Sequence, residues 1–173
     1  MNPITLRAAT PSDAEAVADL GRRAFVTKFG HMYVPADLAY FLESYHAPDR
    51  VTAEIADPDM RVCVAVRDGK LAGFCKLVMR CTWPEHQRRT APIELKQLYL
   101  DPDLTGGGIG RVLMDWAFDE ARSFGADEIQ LSVFSGNDGA QRFYARHGYT
   151  KIADIQFWVG EQCDAEFLYA ALI

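Results

Sequence analysis

The stretch from residue 93 to residue 134 constrains this chain more than any other. Residues 93–100 read as a strand closed by Asp101-Pro102, and four glycines within five residues follow at Gly106, Gly107, Gly108 and Gly110. Ile109, Val112, Leu113, Trp116, Ala117, Ala121 and Phe124 then recur at helical spacing up to a C-capping Gly125, after which residues 129–134 read as a second strand. Two strands joined by a helix of this length are expected to lie parallel, with a right-handed crossover. The turn between the first strand and the helix carries the chemical information. Without Cβ atoms a ligand can approach its backbone, and the helix start presents unpaired N–H groups and the positive end of its dipole. Such a turn suits phosphate, and a bare glycine cluster equally suits a flexible loop.

Two familiar phosphate turns do not fit. A P-loop needs Lys and then Ser or Thr after its last glycine, where this chain has Arg111-Val112. A dinucleotide fold places Gly-x-Gly-x-x-Gly after the first strand, with an acidic residue about 20 positions on. Here Arg111 stands where the third glycine belongs, and the turn comes deep in the chain after a hairpin.

The remainder supplies the order of elements. Residues 4–8 alternate as a short strand, and Thr10-Pro11-Ser12-Asp13 opens a helix whose apolar face runs from Ala14 to Phe29, with Gly30 placed to stop it. Pro35 and Pro48 open two further helices. Residues 61–67 and 71–79 are valine- and leucine-rich strands meeting across Asp68-Gly69, a strong signal for an antiparallel hairpin. Asn137 to Arg146 is a short helix stopped by Gly148, and residues 151–159 and 167–173 read as closing strands.

At 173 residues this is the length of one domain, residues 1–173, and nothing in it repeats. No window approaches the roughly 18 apolar residues of a membrane span, and residues 1–9 lack the apolar core of a signal peptide, so a soluble, cytoplasmic protein is expected. Cys63, Cys75, Cys81 and Cys163 lack metal-site or dithiol spacing and read as buried, reduced thiols, so no metal is expected. A net charge of −6 argues against duplex nucleic acid and leaves a cationic small substrate open.

The full order of elements, together with two motifs, resembles the GCN5-related N-acetyltransferase family. The family's acetyl-CoA signature (Gln or Arg, x, x, Gly, x, Gly or Ala) lies on Thr105, Gly106, Gly107, Gly108, Ile109 and Gly110, and its second motif on Asn137, Ala140, Phe143, Tyr144 and Gly148. Thr105 departs from the usual Gln or Arg. Residues 25–42 and the ending at Trp158-Val159-Gly160 look like the branch containing the bacterial PaiA-type polyamine acetyltransferases. The resemblance implies an α/β (α+β) fold: a mixed, mostly antiparallel sheet of six to seven strands with helices on both faces.

It also implies a chemistry, namely acetyl transfer from acetyl-CoA to a primary amine by direct attack in a ternary complex. The N–H groups from Thr105 and Gly106 through Arg111 would hold the pyrophosphate, and the backbone of Leu98, Tyr99 and Leu100 would pair with the pantetheine arm like an added strand. Tyr144 stands at the family's general-acid position, although a tyrosine beside Phe143 also suits packing. Asn137 would bind the pantetheine arm, cap its helix, or both. Glu94 is the candidate base, and it could equally pair with Lys96 on the same strand face. His31, Tyr33 and Glu85 lie in segments expected to flank the acceptor. A small-molecule amine is the first class of acceptor, polyamine-like; a protein N-terminus or lysine is the second, and a non-catalytic acyl-CoA-binding module is the rival class. The family also admits a homodimer.

Overall fold

The computed structural model describes residues 3–104 and 107–173. Its elements, in chain order, are β1 (Thr5–Ala8), α1 (Ala14–Phe29), α2 (Pro35–His46), α3 (Pro48–Ala56), β2 (Met60–Arg67), β3 (Lys70–Val78), β4 (Pro92–Leu100), α4 (Ile109–Phe124), β5 (Glu128–Phe134), α5 (Asp138–Arg146), β6 (Thr150–Val159) and β7 (Gln162–Leu172). Local chemistry accounts for most boundaries. Thr10 and Asp13 form a capping box around a 3₁₀ turn, Pro11–Asp13, that leads into α1. Prolines open α2 and α3 at their first positions, where no N–H is needed. Asp68 and Gly69 both take left-handed φ angles, 53° and 72°, which gives the hairpin a twist matched to β2 and β3.

The strands form one seven-stranded sheet in the order β1-β2-β3-β4-β5-β7-β6, and β4 with β5 is its parallel pair. Fold class and sheet therefore agree with expectation. α4 buries Ile109, Leu113, Met114, Ala117 and Ala121 against one face, together with Leu77, Leu95, Ile129 and Leu131 of the sheet. On the other face α1 and α3 pack Val17, Leu20 and Val51 onto Val64 and Phe74. A third cluster, Phe25, Phe41 and Val159, ties α1 and α2 to β6.

α1 ends at Gly30 as expected, although the cap is right-handed (φ −55°) and leads into a 3₁₀ turn, Gly30–Met32, with the chain becoming extended only at Tyr33. Two local expectations need correction. β7 starts at Gln162 and not near residue 167, because a tight turn at Gly160 (φ 59°) brings it straight back along β6. The acidic side chains of Asp164 and Glu166 had masked its alternation. Finally, only Cys63 and Cys75 are buried; Cys81 is half-buried and Cys163 is exposed opposite Trp158, and all four are free thiols. Among the described residues no helix is long and apolar enough to cross a membrane.

The feature that positions the site is a failure of pairing. β4 and β5 pair over three residues, Pro92–Glu128, Ile93–Ile129 and Glu94–Gln130, and then diverge, although β4 stays on β3 as far as Leu100 and β5 stays on β7 as far as Phe134. A bulge contributes. The β3–β4 register passes from Lys76–Gln97 to Leu77–Leu95, leaving Lys96 without a partner, and an extra residue of this kind bends a strand and increases its twist.

Candidate active site

The wedge between the diverging strands is a cavity of about 730 Å³ that runs through the sheet. At its α4/α5 end it is lined by Leu98, Leu100, Val133, Asn137, Ala140 and Tyr144, and at its α1/α2 end by Phe25, Tyr33, Phe41, Phe134, Phe157 and Glu166. Glu94, Lys96, Gln97 and Tyr99 line it along β4. Because β4 has no neighbour on this side beyond Glu94, the backbone from Leu95 to Leu100 offers a free edge to an extended ligand.

The glycine turn lies at one end of this edge. Thr105 and Gly106 lie outside the described residues. Gly107 and Gly108 are exposed, and Gly108 caps α4 with φ 78°, a conformation that a side chain would strain. Among the described residues nothing lies within 4 Å of a Cβ built on Gly108, so the space on that side of its Cα is open. α4 is sixteen residues long, which gives its N-terminus a full dipole, and Arg111 in its first turn is exposed. Arg67, at the end of β2, donates from Nη2 to the carbonyl of Gly107 at 2.8 Å. A Cβ on Gly107 would meet that guanidinium at 2.6–3.1 Å, so a side chain there would displace the tip of Arg67, a neighbour far away in sequence. An open turn at a helix start, a free strand edge and a cavity of this size together fit a phosphate-bearing, extended thioester.

Asn137 and Tyr144 meet the cavity from α5. Asn137 caps the helix, its Oδ1 accepting from the N–H of Ala140 at 3.2 Å, so the capping alternative is realised. Tyr144 packs among Phe143 and Tyr149, with ring centroids 5.5 and 5.7 Å away. Burial raises its phenol well above the ordinary value, with smaller contributions from Cys75 and Glu166. The group therefore holds its proton at neutral pH.

Glu94 is half-buried, and burial raises its carboxyl, opposed by Lys96, a hydrogen bond from Thr82 and Arg80. Lys96 thus affects Glu94 through its charge, while the bulge interrupts the alternation that would have set the two side by side. Of the flanking candidates, Tyr33 lines the cavity and donates to Oδ2 of Asp164 at 2.5 Å. His31 and Glu85 are exposed on 3₁₀ turns and do not line it; Trp83, two residues before Glu85, does.

Sequence reasoning missed Glu166, Gln97 and Arg67. Glu166 would have come into view had the closing strand been started at residue 162, since Asp164, Glu166, Leu168 and Ala170 then share a face. Arg67 left no local signal. Among the described residues, no cluster of His, Cys, Asp or Glu could hold a metal ion.

Comparison with known proteins gives this geometry its class. The model of the acetyltransferase (GNAT) family matches residues 25–149, and the chain belongs to that family. It is similar to an uncharacterized N-acetyltransferase in the pepI 3′ region of Lactobacillus delbrueckii subsp. lactis, 29% identical over 149 residues and covering 86% of each chain. It is 36% identical over 158 residues to the streptothricin acetyltransferase of Streptomyces lavendulae, covering 83% of this chain and 79% of that one. In fold it matches the PaiA N-acetyltransferase of Thermoplasma acidophilum, solved in complex with coenzyme A, with a TM-score of 0.81, 20% identity and 99% of each chain covered. The protein is an N-acetyltransferase, and acetyl-CoA is its co-substrate.

Proposed function

We propose that the acceptor is the primary amine of a small molecule, polyamine-like in the first instance, and that it attacks acetyl-CoA directly in a ternary complex. One observation carries this reading: the wedge joins the free edge of β4, Asn137 and Tyr144 on one side of the sheet to an aromatic chamber holding Glu166 on the other. Two substrates can therefore enter from opposite faces and meet between β4 and β5.

Acetyl-CoA supplies the activated acetyl group. The N–H groups from Gly107 to Arg111 face its diphosphate, and the free edge at Leu98, Tyr99 and Leu100 aligns its pantetheine arm. A backbone N–H near Leu98 or Tyr99 polarises the acetyl carbonyl, an electrostatic aid that costs no reorganisation. Glu94 takes a proton from the incoming ammonium and frees the nitrogen lone pair. As the C–N bond forms and the C–S bond breaks, Tyr144 gives its phenolic proton to the departing sulfur. The second proton of the amine nitrogen returns to Tyr144 through solvent.

Tyr144→Phe tests the acid. It should lower kcat by about 100-fold or more, the usual worth of a positioned acid, while the Kd for coenzyme A stays within a factor of two or three of wild type (roughly 0.6 kcal/mol). Unchanged turnover would remove Tyr144 from the mechanism. The acceptor is tested by following free thiol release from acetyl-CoA with polyamines, amino acids, aminoglycosides and N-terminal peptides. Turnover confined to peptides would move the acceptor to the protein class.

A further inference from the structure

At the acceptor end of the wedge, β7 carries two carboxylates two residues apart on one face, Glu166 lining the cavity and Asp164 beside it, and they are in opposite states. Asp164 is saturated: the Tyr33 hydroxyl donates to Oδ2 at 2.5 Å and Gln162 Nε2 to Oδ1 at 2.8 Å. Glu166, two residues on, accepts from the Ser132 hydroxyl, but its Oε2 is buried with no partner. Among the described residues no Lys, Arg or His lies within ion-pair distance of it. Gln97 Oε1, on β4 across the wedge, is a second buried acceptor without a donor. Unpaired acceptors in an apolar wall are costly to desolvate, and a ligand that brings N–H donors and positive charge removes that cost.

The surroundings describe the rest of such a ligand. Glu166 pairs across the sheet with Phe134 on β5 and Ile155 on β6, so all three side chains face the chamber. From Phe134 a continuous aromatic wall leads through Phe29 (6.0 Å) and Phe25 (5.3 Å) to Phe41 (4.3 Å) and Phe157 (5.9 Å). Aliphatic chain packs on such a wall, and an ammonium group is attracted to its ring faces. Glu94 lies on a different strand, and its charged neighbours are Lys96 and Arg80; those of Glu166 are Asp164 and the phenols of Tyr33, Tyr99 and Tyr144. Two carboxylates, Glu94 and Glu166, thus line the cavity from different strands, the second beside the aromatic wall, and only one is needed at the reacting amine.

We infer that Glu166, with Gln97 across the wedge from it, anchors a second cationic group of the acceptor, so that the enzyme prefers a diamine with an apolar spacer over a monoamine. This rests on the proposed small-amine acceptor and adds to it a residue and a selectivity. Burial and the nearby charge of Asp164 raise the Glu166 carboxyl, opposed by Ser132, as fits a group that becomes fully ionised once a cation arrives.

The test compares 1,4-diaminobutane with butylamine on the full chain with acetyl-CoA. Wild type should favour the diamine in kcat/KM. Glu166→Gln, which keeps the shape, should lower kcat/KM for the diamine by roughly 30-fold, mainly through KM, as expected for uncovering one partner of a desolvated charge pair. For butylamine the loss should be less than about twofold, and the KM for acetyl-CoA should not change. Glu166→Asp, one methylene shorter, should shift the optimum towards 1,5-diaminopentane, a change that mere loss of packing would not produce. Equal losses on both amines would place Glu166 at the reacting nitrogen, and no loss on either would remove it from recognition; both overturn the inference. Diamine binding is also measured by isothermal titration calorimetry. Glu166-dependent binding without turnover would fail the proposed acceptor class alone, whereas turnover of small amines without diamine preference would fail this inference alone.

Discussion

At the scale of single residues, His46 is the clearest departure from what its type would suggest. It is fully buried, neither ring nitrogen has a hydrogen-bond partner, and it lies between Phe41 (5.8 Å) and Tyr99 (5.6 Å). Gly21 makes the room, since a Cβ there would run into the ring. Burial, reinforced by the charge of Lys76, pushes its pKa down to about 4 from 6.5. The folded state therefore holds the neutral form. Between pH 6.5 and 4 the unfolded chain binds a proton that the native chain does not, so stability rises with pH across this window and is lost on acidification. The whole window is worth about 3 kcal/mol, of which about 2 kcal/mol is gone by pH 5. Urea unfolding at pH 7 and pH 5 measures it: His46→Leu should reduce the acid-induced loss by about that amount.

At the scale of elements, α5 shows one residue serving two purposes. Asn137 closes the first turn of the helix and lines the cavity at the same time. Asn137→Ala should cost about 1 kcal/mol of stability, the usual worth of an N-cap. Asn137→Ser should restore most of that, because a hydroxyl also accepts from the Ala140 N–H. If the amide also holds the pantetheine arm, both variants should raise the KM for acetyl-CoA alike, in contrast to their unequal thermal midpoints. The two readings that the sequence left open are thereby separated. Element boundaries were legible wherever proline, glycine or a capping box marked them, as at Pro35, Pro48 and Asp68-Gly69. The bulge at Lys96 was not legible, because a bulge is a mismatch between two strands and β4 alone contains no sign of it.

At the scale of the whole molecule, the sheet is held open by the divergence of β4 and β5, and the free edge of β4 is the cost of having a site there. A ligand that completes this edge binds only the folded chain and so stabilises it. At 100 times its Kd, acetyl-CoA should add about 2.7 kcal/mol, which for a chain of this size raises Tm by roughly 5–10 °C. A thermal melt with and without acetyl-CoA measures this. NAD(P) at the same concentration should leave Tm unchanged, because the glycine turn lacks the first-strand setting that a dinucleotide needs.

The hairpin, the helix order and the glycine turn were determined by sequence alone, because each depends on interactions a few residues apart: periodicity, caps and the absence of Cβ atoms; the parallel pair followed from the length of the helix between its strands. From those elements and two motifs the family and the co-substrate could be read. Only the tertiary structure decided that β4 and β5 part after Glu94, that Arg67 reaches Gly107, and that Glu166 faces an aromatic wall with one oxygen unpaired. Each of these depends on residues 40 or more positions apart (Arg67 with Gly107, Phe25 with Glu166) or on register between strands. A chain's local pattern fixes what its elements are, whereas the chamber that receives the acceptor exists only where several of those elements meet.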